Sequence, residues 1–65
     1  MPEVVVFAIE GRSQEQKRAL MKDITDAVVK NFAVDPQAVV VSLMETPKNN
    51  KAKAGVLFSE MPPKR

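Results

Sequence analysis

Two apolar segments of strand length, separated by one helical pattern, constrain the fold more than any other feature of the sequence. The first segment covers 3–9 and the second covers 38–45. Near-continuous apolar runs are typical of strands that are covered on both faces. Two strands joined by a helical crossover are parallel and connected in the right-handed sense. The sequence therefore predicts an α/β (α+β) fold built on one β-α-β unit.

The connecting helix is predicted to begin at Ser13, which forms a capping box with Gln16. Lys17 lies on its apolar sector, and we expect the stem to pack flat with the ammonium group in water. The helix is expected to run to about Ala33, before Asp35-Pro36 ends it. The apolar residues on that sector are Leu20, Met21, Ile24, Ala27, Val28 and Phe32.

The last third of the chain has weaker signals. Thr46 to Lys53 is polar and turn-prone, Ala54 to Phe58 predicts a short strand or hairpin, and Met61 to Arg65 is expected to be extended or frayed. No repeat or linker divides the sequence, so residues 1–65 are interpreted as a single domain.

The small size of the chain predicts an oligomer. Its 65 residues include no cysteine and no histidine, so neither a disulfide nor a zinc site can stabilise a small core. One helix covers one face of a sheet, whereas both strands are apolar on both faces. We therefore expect a second copy or a related chain to cover the other face, in a dimer that builds a larger ring.

Charge and hydropathy exclude several classes of partner. Ten Lys and Arg against eight Asp and Glu give a net charge of +2, which is too weak to indicate a nucleic-acid partner. The longest apolar run ends at Ile9 and is far shorter than a membrane span of roughly 18 residues, and the flanking Glu3 and Glu10 argue against a secretory signal. We expect a cytoplasmic protein with no membrane partner.

Few residue types remain for catalysis, because His, Cys, Tyr and Trp are all absent. An α-amino group has a pKa of about 7.7–8.0 and is suited to proton transfer at neutral pH. Removal of Met1 would expose Pro2 as a secondary amine, and an apolar wall or a nearby cation would lower its pKa. The alternative is that Pro2 is an ordinary proline at the start of a strand.

Four features resemble the 4-oxalocrotonate tautomerase family over nearly the full chain. They are Pro2 at the start of the first strand, the segment Glu10-Gly11-Arg12-Ser13, Glu45, and the stretch from Ala54 to Leu57. The resemblance implies β-α-β subunits assembled as a homohexamer, a trimer of dimers. It also implies cofactor-free isomerase chemistry on a small carboxylated substrate, with Pro2 as general base or acid, and a place in aromatic degradation.

Arg12 is the main candidate for binding the substrate carboxylate. Seven strand steps of roughly 3.3 Å place Ile9 about 23 Å from Pro2, so Arg12 must reach a Pro2 site from a neighbouring subunit. There its guanidinium would hold a carboxylate and stabilise a developing enolate. The alternative is a solvated arginine paired with Glu10 or Glu15.

Two departures from the family pattern bear on the substrate. Val40 stands where dicarboxylate-specific members have a second arginine, and Lys51 stands where the family has an active-site phenylalanine. Lys51 is therefore a second candidate for substrate binding, although a mobile basic loop with Lys48 and Lys53 is the alternative. The related dehalogenases carry an arginine and an acidic residue where this chain has Ile9 and Lys53, which disfavours hydration chemistry.

Three functions remain open. The first is a homo-oligomeric tautomerase acting on a monocarboxylated enol or 2-hydroxydienoate. The second is one subunit of a heterohexamer whose partner supplies the arginine missing at Val40. The third is a non-catalytic oligomeric module, since a retained Met1 makes the Pro2 nitrogen an amide. None of these requires a metal ion or a cofactor.

Overall fold

A computed structural model describes residues 1–61 of the chain. Strand β1 is followed by one helix, by the parallel strand β2, and by a short antiparallel hairpin of β3 and β4. The predicted β-α-β unit with a C-terminal hairpin is confirmed. Of the predicted extended tail, 62–65 lie outside the described residues. The elements are β1 (Glu3–Ile9), α1 (Gln14–Phe32), β2 (Val40–Thr46), β3 (Ala52–Lys53) and β4 (Val56–Leu57), with 3₁₀ turns at Pro36–Ala38, Lys48–Asn50 and Phe58–Glu60.

The capping box predicted at the start of α1 is present. The Ser13 hydroxyl accepts from the Gln16 amide at 3.1 Å, and the Gln16 side chain accepts from the Ser13 amide at 3.0 Å. At the other end, Ala33 is left-handed (φ 56°) and donates its N–H to the Val29 carbonyl at 3.0 Å. Both helix ends are therefore defined by local backbone hydrogen bonds.

The packed face of α1 is rotated slightly from the predicted one. Leu20 and Phe32 remain 42% and 66% exposed and Ala27 is exposed, whereas Thr25 and Val29 are half-buried. The Thr25 hydroxyl donates to the Met21 carbonyl at 2.8 Å, so the face accommodates a polar side chain without an unpaired group. The half-buried residues of α1 are Lys17, Met21, Ile24, Thr25, Val28 and Val29.

The predicted start of β2 at Ala38 is wrong by two residues. The Asp35 carboxylate accepts from the Gln37 amide at 2.9 Å, and this cap starts a 3₁₀ turn that contains Ala38. Strand β2 therefore begins at Val40 and extends through Thr46, which the sequence had assigned to the following loop.

The hairpin also begins earlier than predicted. Its first strand is Ala52–Lys53, within the segment expected to lack regular structure. Lys53 pairs with Val56, which leaves the two-residue loop Ala54-Gly55 with φ values of 54° and 80°. Two consecutive residues with positive φ are typical of a type I′ turn, although alanine is uncommon at its first position.

The parallel sheet packs one face against α1 and leaves the other open. The open face pairs Val5 with Ser42 and Phe7 with Met44 across the two strands. Phe7 is 73% exposed and Met44 is 53% exposed, and Val5 and Val40 are also exposed. We name this surface, formed by Val5, Phe7, Val40 and Met44, the open sheet face.

A single protomer has no closed core. None of the described residues 1–61 is buried. The radius of gyration is 15.0 Å, whereas a compact domain of this length has about 11 Å. The protomer therefore exposes apolar surface that folded monomers normally cover.

Candidate active site

Pro2 lies at the amino-terminal edge of the parallel sheet. Its carbonyl accepts from the Val40 amide at 3.1 Å, which extends the ladder between β1 and β2 by one bond. Pro2 is half-buried, whereas the Met1 residue before it is 88% exposed. The backbone at Pro2 is thus held by the sheet, and the bond between Met1 and Pro2 lies at the surface.

Arg12 lies at the opposite edge. It follows Gly11, whose φ of 125° is accessible mainly to glycine, and it precedes the helix cap Ser13. The turn and the capping box therefore fix the backbone on both sides of Arg12. The ion pairs within residues 1–61 are Lys17–Glu45 and Lys22–Asp26, so the alternative pairing of Arg12 with Glu10 or Glu15 is absent there.

One protomer does not bring Pro2 and Arg12 together. They flank β1, which runs without a break through seven residues in register with β2. At roughly 3.3 Å per residue, the strand separates its two ends by about 20 Å. A site that uses both residues must therefore combine two protomers.

Arg12 lines a cavity of about 300 Å³ between the first turns of α1 and the carboxyl ends of the strands. The other polar side chains in its wall are Gln16, Lys17 and Glu45, and Ala8, Leu20 and Leu43 form the apolar part. The Lys17 ammonium donates to Glu45 Oε1 at 2.6 Å, and the two side chains are only 22% and 27% exposed. Lys17 is half-buried, as its place on the apolar sector predicts, and its ammonium makes an ion pair with Glu45 that the sequence did not predict.

Lys51 directly precedes β3, with its ammonium nitrogen 5.9 Å from the centroid of the Phe58 ring. This distance allows a cation–π contact. The Lys51 carbonyl also accepts from the Phe58 amide at 2.8 Å, so backbone and side chain hold the two residues together. The structure places Lys51 beyond the end of β2, away from the protomer's own Pro2 at the start of the sheet.

Sequence reasoning missed two of these contacts. Lys17 and Glu45 are 28 positions apart, and only the parallel topology places the first turns of α1 beside the end of β2. Phe58 was assigned to the hairpin without a partner. An aromatic residue next to a lysine-rich loop was the available signal for the contact with Lys51.

Residues 1–61 contain no group of three acidic side chains arranged to hold a metal ion. In the same part of the chain, α1 is too polar to cross a membrane.

Comparison with known proteins gives a consistent result. A family model described as "Tautomerase enzyme" matches residues 2–61. A probable tautomerase of Bradyrhizobium diazoefficiens is 50% identical over 92% of this chain and 90% of its own length. The 2-hydroxymuconate tautomerase of Bacillus subtilis is 39% identical over 94% of this chain and 98% of its own length.

A solved structure agrees with these matches. One chain of a heterohexamer 4-oxalocrotonate tautomerase from Chloroflexus aurantiacus superposes with a TM-score of 0.87. It is 27% identical, and the match covers 95% of this chain and all of that one.

Proposed function

Because this chain belongs to the tautomerase family, we propose that it is a cofactor-free tautomerase in which Pro2 acts as general base and acid. The substrate is a small carboxylated enol or 2-hydroxydienoate. Pro2 takes a proton from the enol and returns a proton to a carbon of the same molecule. The reaction is an isomerisation, so no electron acceptor is consumed.

The position of Pro2 supports this role. The hydrogen bond from the Val40 amide fixes the Pro2 backbone at the edge of the sheet, and the ring itself fixes φ. Met1 is exposed, so an aminopeptidase has access to the bond that must be cut to free the amine. Loss of Met1 makes the Pro2 nitrogen the chain's α-amino group, a class of group with an ordinary pKa of about 7.7–8.0, and a nearby cation lowers that pKa.

Arg12 of a neighbouring protomer supplies the carboxylate contact in this proposal. The observation that carries it is the placement of Pro2 and Arg12 at opposite ends of an unbroken strand, in a protomer whose sheet is open on one face. Assembly across that face covers the apolar side chains. It also allows a site to combine Pro2 of one protomer with Arg12 of another.

The substrate we favour carries one carboxylate near the reacting enol. Val40 has no charge to bind a second carboxylate at the position where dicarboxylate-specific tautomerases have arginine. Lys51 is proposed as an auxiliary cation, because its contact with Phe58 places the ammonium group beside the base of the hairpin. Phenylenolpyruvate is therefore the preferred test substrate, and 2-hydroxymuconate is the dicarboxylate for comparison.

The assembly we propose is a homohexamer, a trimer of dimers, with each chain acting as one domain over residues 1–65. The alternative is a heterohexamer, which the assembly state of the Chloroflexus enzyme favours as a second candidate. A partner chain with an arginine at the position of Val40 would then add dicarboxylate binding. The cytoplasmic location expected from the sequence belongs to the same proposal.

Intact mass spectrometry of protein from its native source tests the first requirement, which is loss of Met1. Pro2→Ala and Arg12→Ala are then each expected to lower kcat/KM for phenylenolpyruvate by at least about 10²-fold, the usual scale for a general base or an oxyanion contact. Arg18→Ala is the matched control, because Arg18 is an exposed arginine on α1 outside the cavity. Its activity should equal that of the wild type.

Retention of Met1 in all native molecules would contradict the enzymatic proposal and favour the non-catalytic module. Full activity in Pro2→Ala would also contradict it, although part of the rate can survive on a primary amine. Sedimentation of the purified chain separates the two assemblies. A homohexamer forms from this chain alone, whereas a heterohexamer requires a second chain for a closed particle.

A further inference from the structure

The cavity beside Arg12 is lined by two further charged side chains, Lys17 and Glu45, to which the proposed function assigns no role. Arg12 and Lys17 each contribute one positive charge to its wall, and Glu45 contributes one negative charge. Glu45 accepts directly from the Lys17 ammonium at 2.6 Å. The three side chains therefore leave the cavity with a net charge of +1, enough to neutralise one carboxylate.

We propose that Glu45 determines specificity by neutralising Lys17, so that the Arg12 cavity accepts one carboxylate and disfavours dianions. This inference rests on the proposed function, in which Arg12 binds the substrate anion. With Glu45 ionised, Lys17 has its charge compensated and a second carboxylate meets an acidic neighbour. Removal of the Glu45 charge frees Lys17 as a second cation beside Arg12.

The burial of the pair makes this effect measurable. The side chains of Lys17 and Glu45 are 22% and 27% exposed, so water screens them less than it screens a surface pair. Apolar side chains from Leu20 and Leu43 form part of the same wall. A change of one unit charge is therefore felt by an anion in the cavity, on a scale of roughly fivefold in affinity.

Two variants that change the cavity charge in opposite directions distinguish this proposal from a purely structural ion pair. Glu45→Gln raises the cavity charge to +2, and Lys17→Met lowers it to zero, while both variants nearly keep the side-chain shape. The double variant restores +1 without the ion pair. Lys17→Arg keeps the charge and is the conservative control.

Binding is measured by calorimetry with two probes that share a six-carbon diene, namely sorbate with one carboxylate and muconate with two. Glu45→Gln should improve the affinity for muconate relative to sorbate by about fivefold. Lys17→Met should weaken both probes. The double variant and Lys17→Arg should keep the wild-type ratio within twofold, and 0.5 M salt should reduce the differences.

Equal weakening in Glu45→Gln and Lys17→Met, with an unchanged ratio of muconate to sorbate, would assign the pair a structural role only and overturn the proposal. The binding assay does not require the Pro2 amine. A raised affinity ratio of muconate to sorbate in Glu45→Gln, together with full turnover in Pro2→Ala, would therefore reject the proposed mechanism and keep the proposed role of Glu45 in specificity. An unchanged affinity ratio of muconate to sorbate, with turnover that depends on Pro2, would reject only the proposed role of Glu45.

Discussion

Phe7 offers the most direct test of whether the open sheet face holds the protein together. Its side chain is 73% exposed in the protomer, at the centre of that face and paired across the strands with Met44. Replacement by alanine removes few contacts within the protomer. Any large effect of Phe7→Ala must therefore arise between protomers.

The expected effect follows from area. A phenylalanine has about 200 Å² of accessible surface, and deletion of its exposed ring removes roughly 100 Å² from the interface. At about 25 cal/mol per Å², each ring contributes about 2.5 kcal/mol to assembly. A contact that loses two rings is weakened by about 5 kcal/mol, which corresponds to a rise of roughly several thousandfold in its dissociation constant.

Sedimentation velocity over a concentration series measures that constant, with turnover recorded on the same samples. Lys22→Ala is the matched control, because the Lys22 side chain is 74% exposed and lies on α1, in the layer opposite the open face. It should assemble as the wild type does. Equal dissociation constants for Phe7→Ala and the wild type, or a monomeric wild type at 100 µM, would refute the assignment of this face.

Three further predictions have defined outcomes. Ala33→Gly and Ala54→Gly should each raise the free energy of unfolding by a few tenths to about 1 kcal/mol in urea titrations, because both alanines have positive φ. As a control, Ala27→Gly inside α1 should lower the free energy of unfolding by about 1 kcal/mol. Val40→Arg should raise the ratio of kcat/KM for 2-hydroxymuconate to that for phenylenolpyruvate in steady-state assays, even where a charge on the open sheet face lowers both values by weakening assembly. The hydrogen bond to Asp26 raises the pKa of Lys22, so the charged form of Lys22 is favoured in the folded state. The stability that this pair contributes is lost as the pH rises through the folded-state pKa of Lys22. NMR titration should show that Asp26→Asn lowers that pKa.

Local patterns were sufficient to predict the first half of the fold. The run of β-branched residues gave β1 its correct bounds, and the capping box at Ser13 gave the start of α1. Both signals depend on neighbours within four positions. The start of β2 was less predictable because Asp35-Pro36 does more than end a helix: the Asp35 side chain caps a new 3₁₀ turn.

The hairpin shows a second limit of local reasoning. The pair Ala54-Gly55 is a weak turn signal compared with Asn-Gly, so the turn-prone Asn49-Asn50 drew the prediction of irregular structure. In the structure that pair belongs to a 3₁₀ turn, and the type I′ turn lies four residues later. Pairing between Lys53 and Val56 is what makes the positive φ of Ala54 tolerable.

The candidate site likewise contains residues that the sequence predicts and a contact that only the fold reveals. Pro2 and Arg12 were predicted from the chemistry of a terminal amine and from the family resemblance, and their separation follows from the length of one strand. The Lys17–Glu45 pair depends on packing between segments 28 residues apart, and no periodicity in either segment predicts it. The pairing of Lys17 with Glu45 follows only from the fold, which places the start of α1 beside the end of β2.

The open sheet face and the divided site are consequences of the same short strand. A strand of seven residues is long enough to separate Pro2 from Arg12 by about 20 Å, and one helix is too narrow to cover both faces of the sheet it crosses. In the proposed assembly, burial of Phe7 and Met44 therefore also forms the contact between protomers that a shared site needs. A substitution on the open face that never touches substrate should lower kcat/KM in proportion to the fraction of protein it dissociates. In the proposed site, which combines Pro2 and Arg12 of different protomers, substrate binds only the assembled protein, so a high substrate concentration should recover part of the lost rate by favouring assembly.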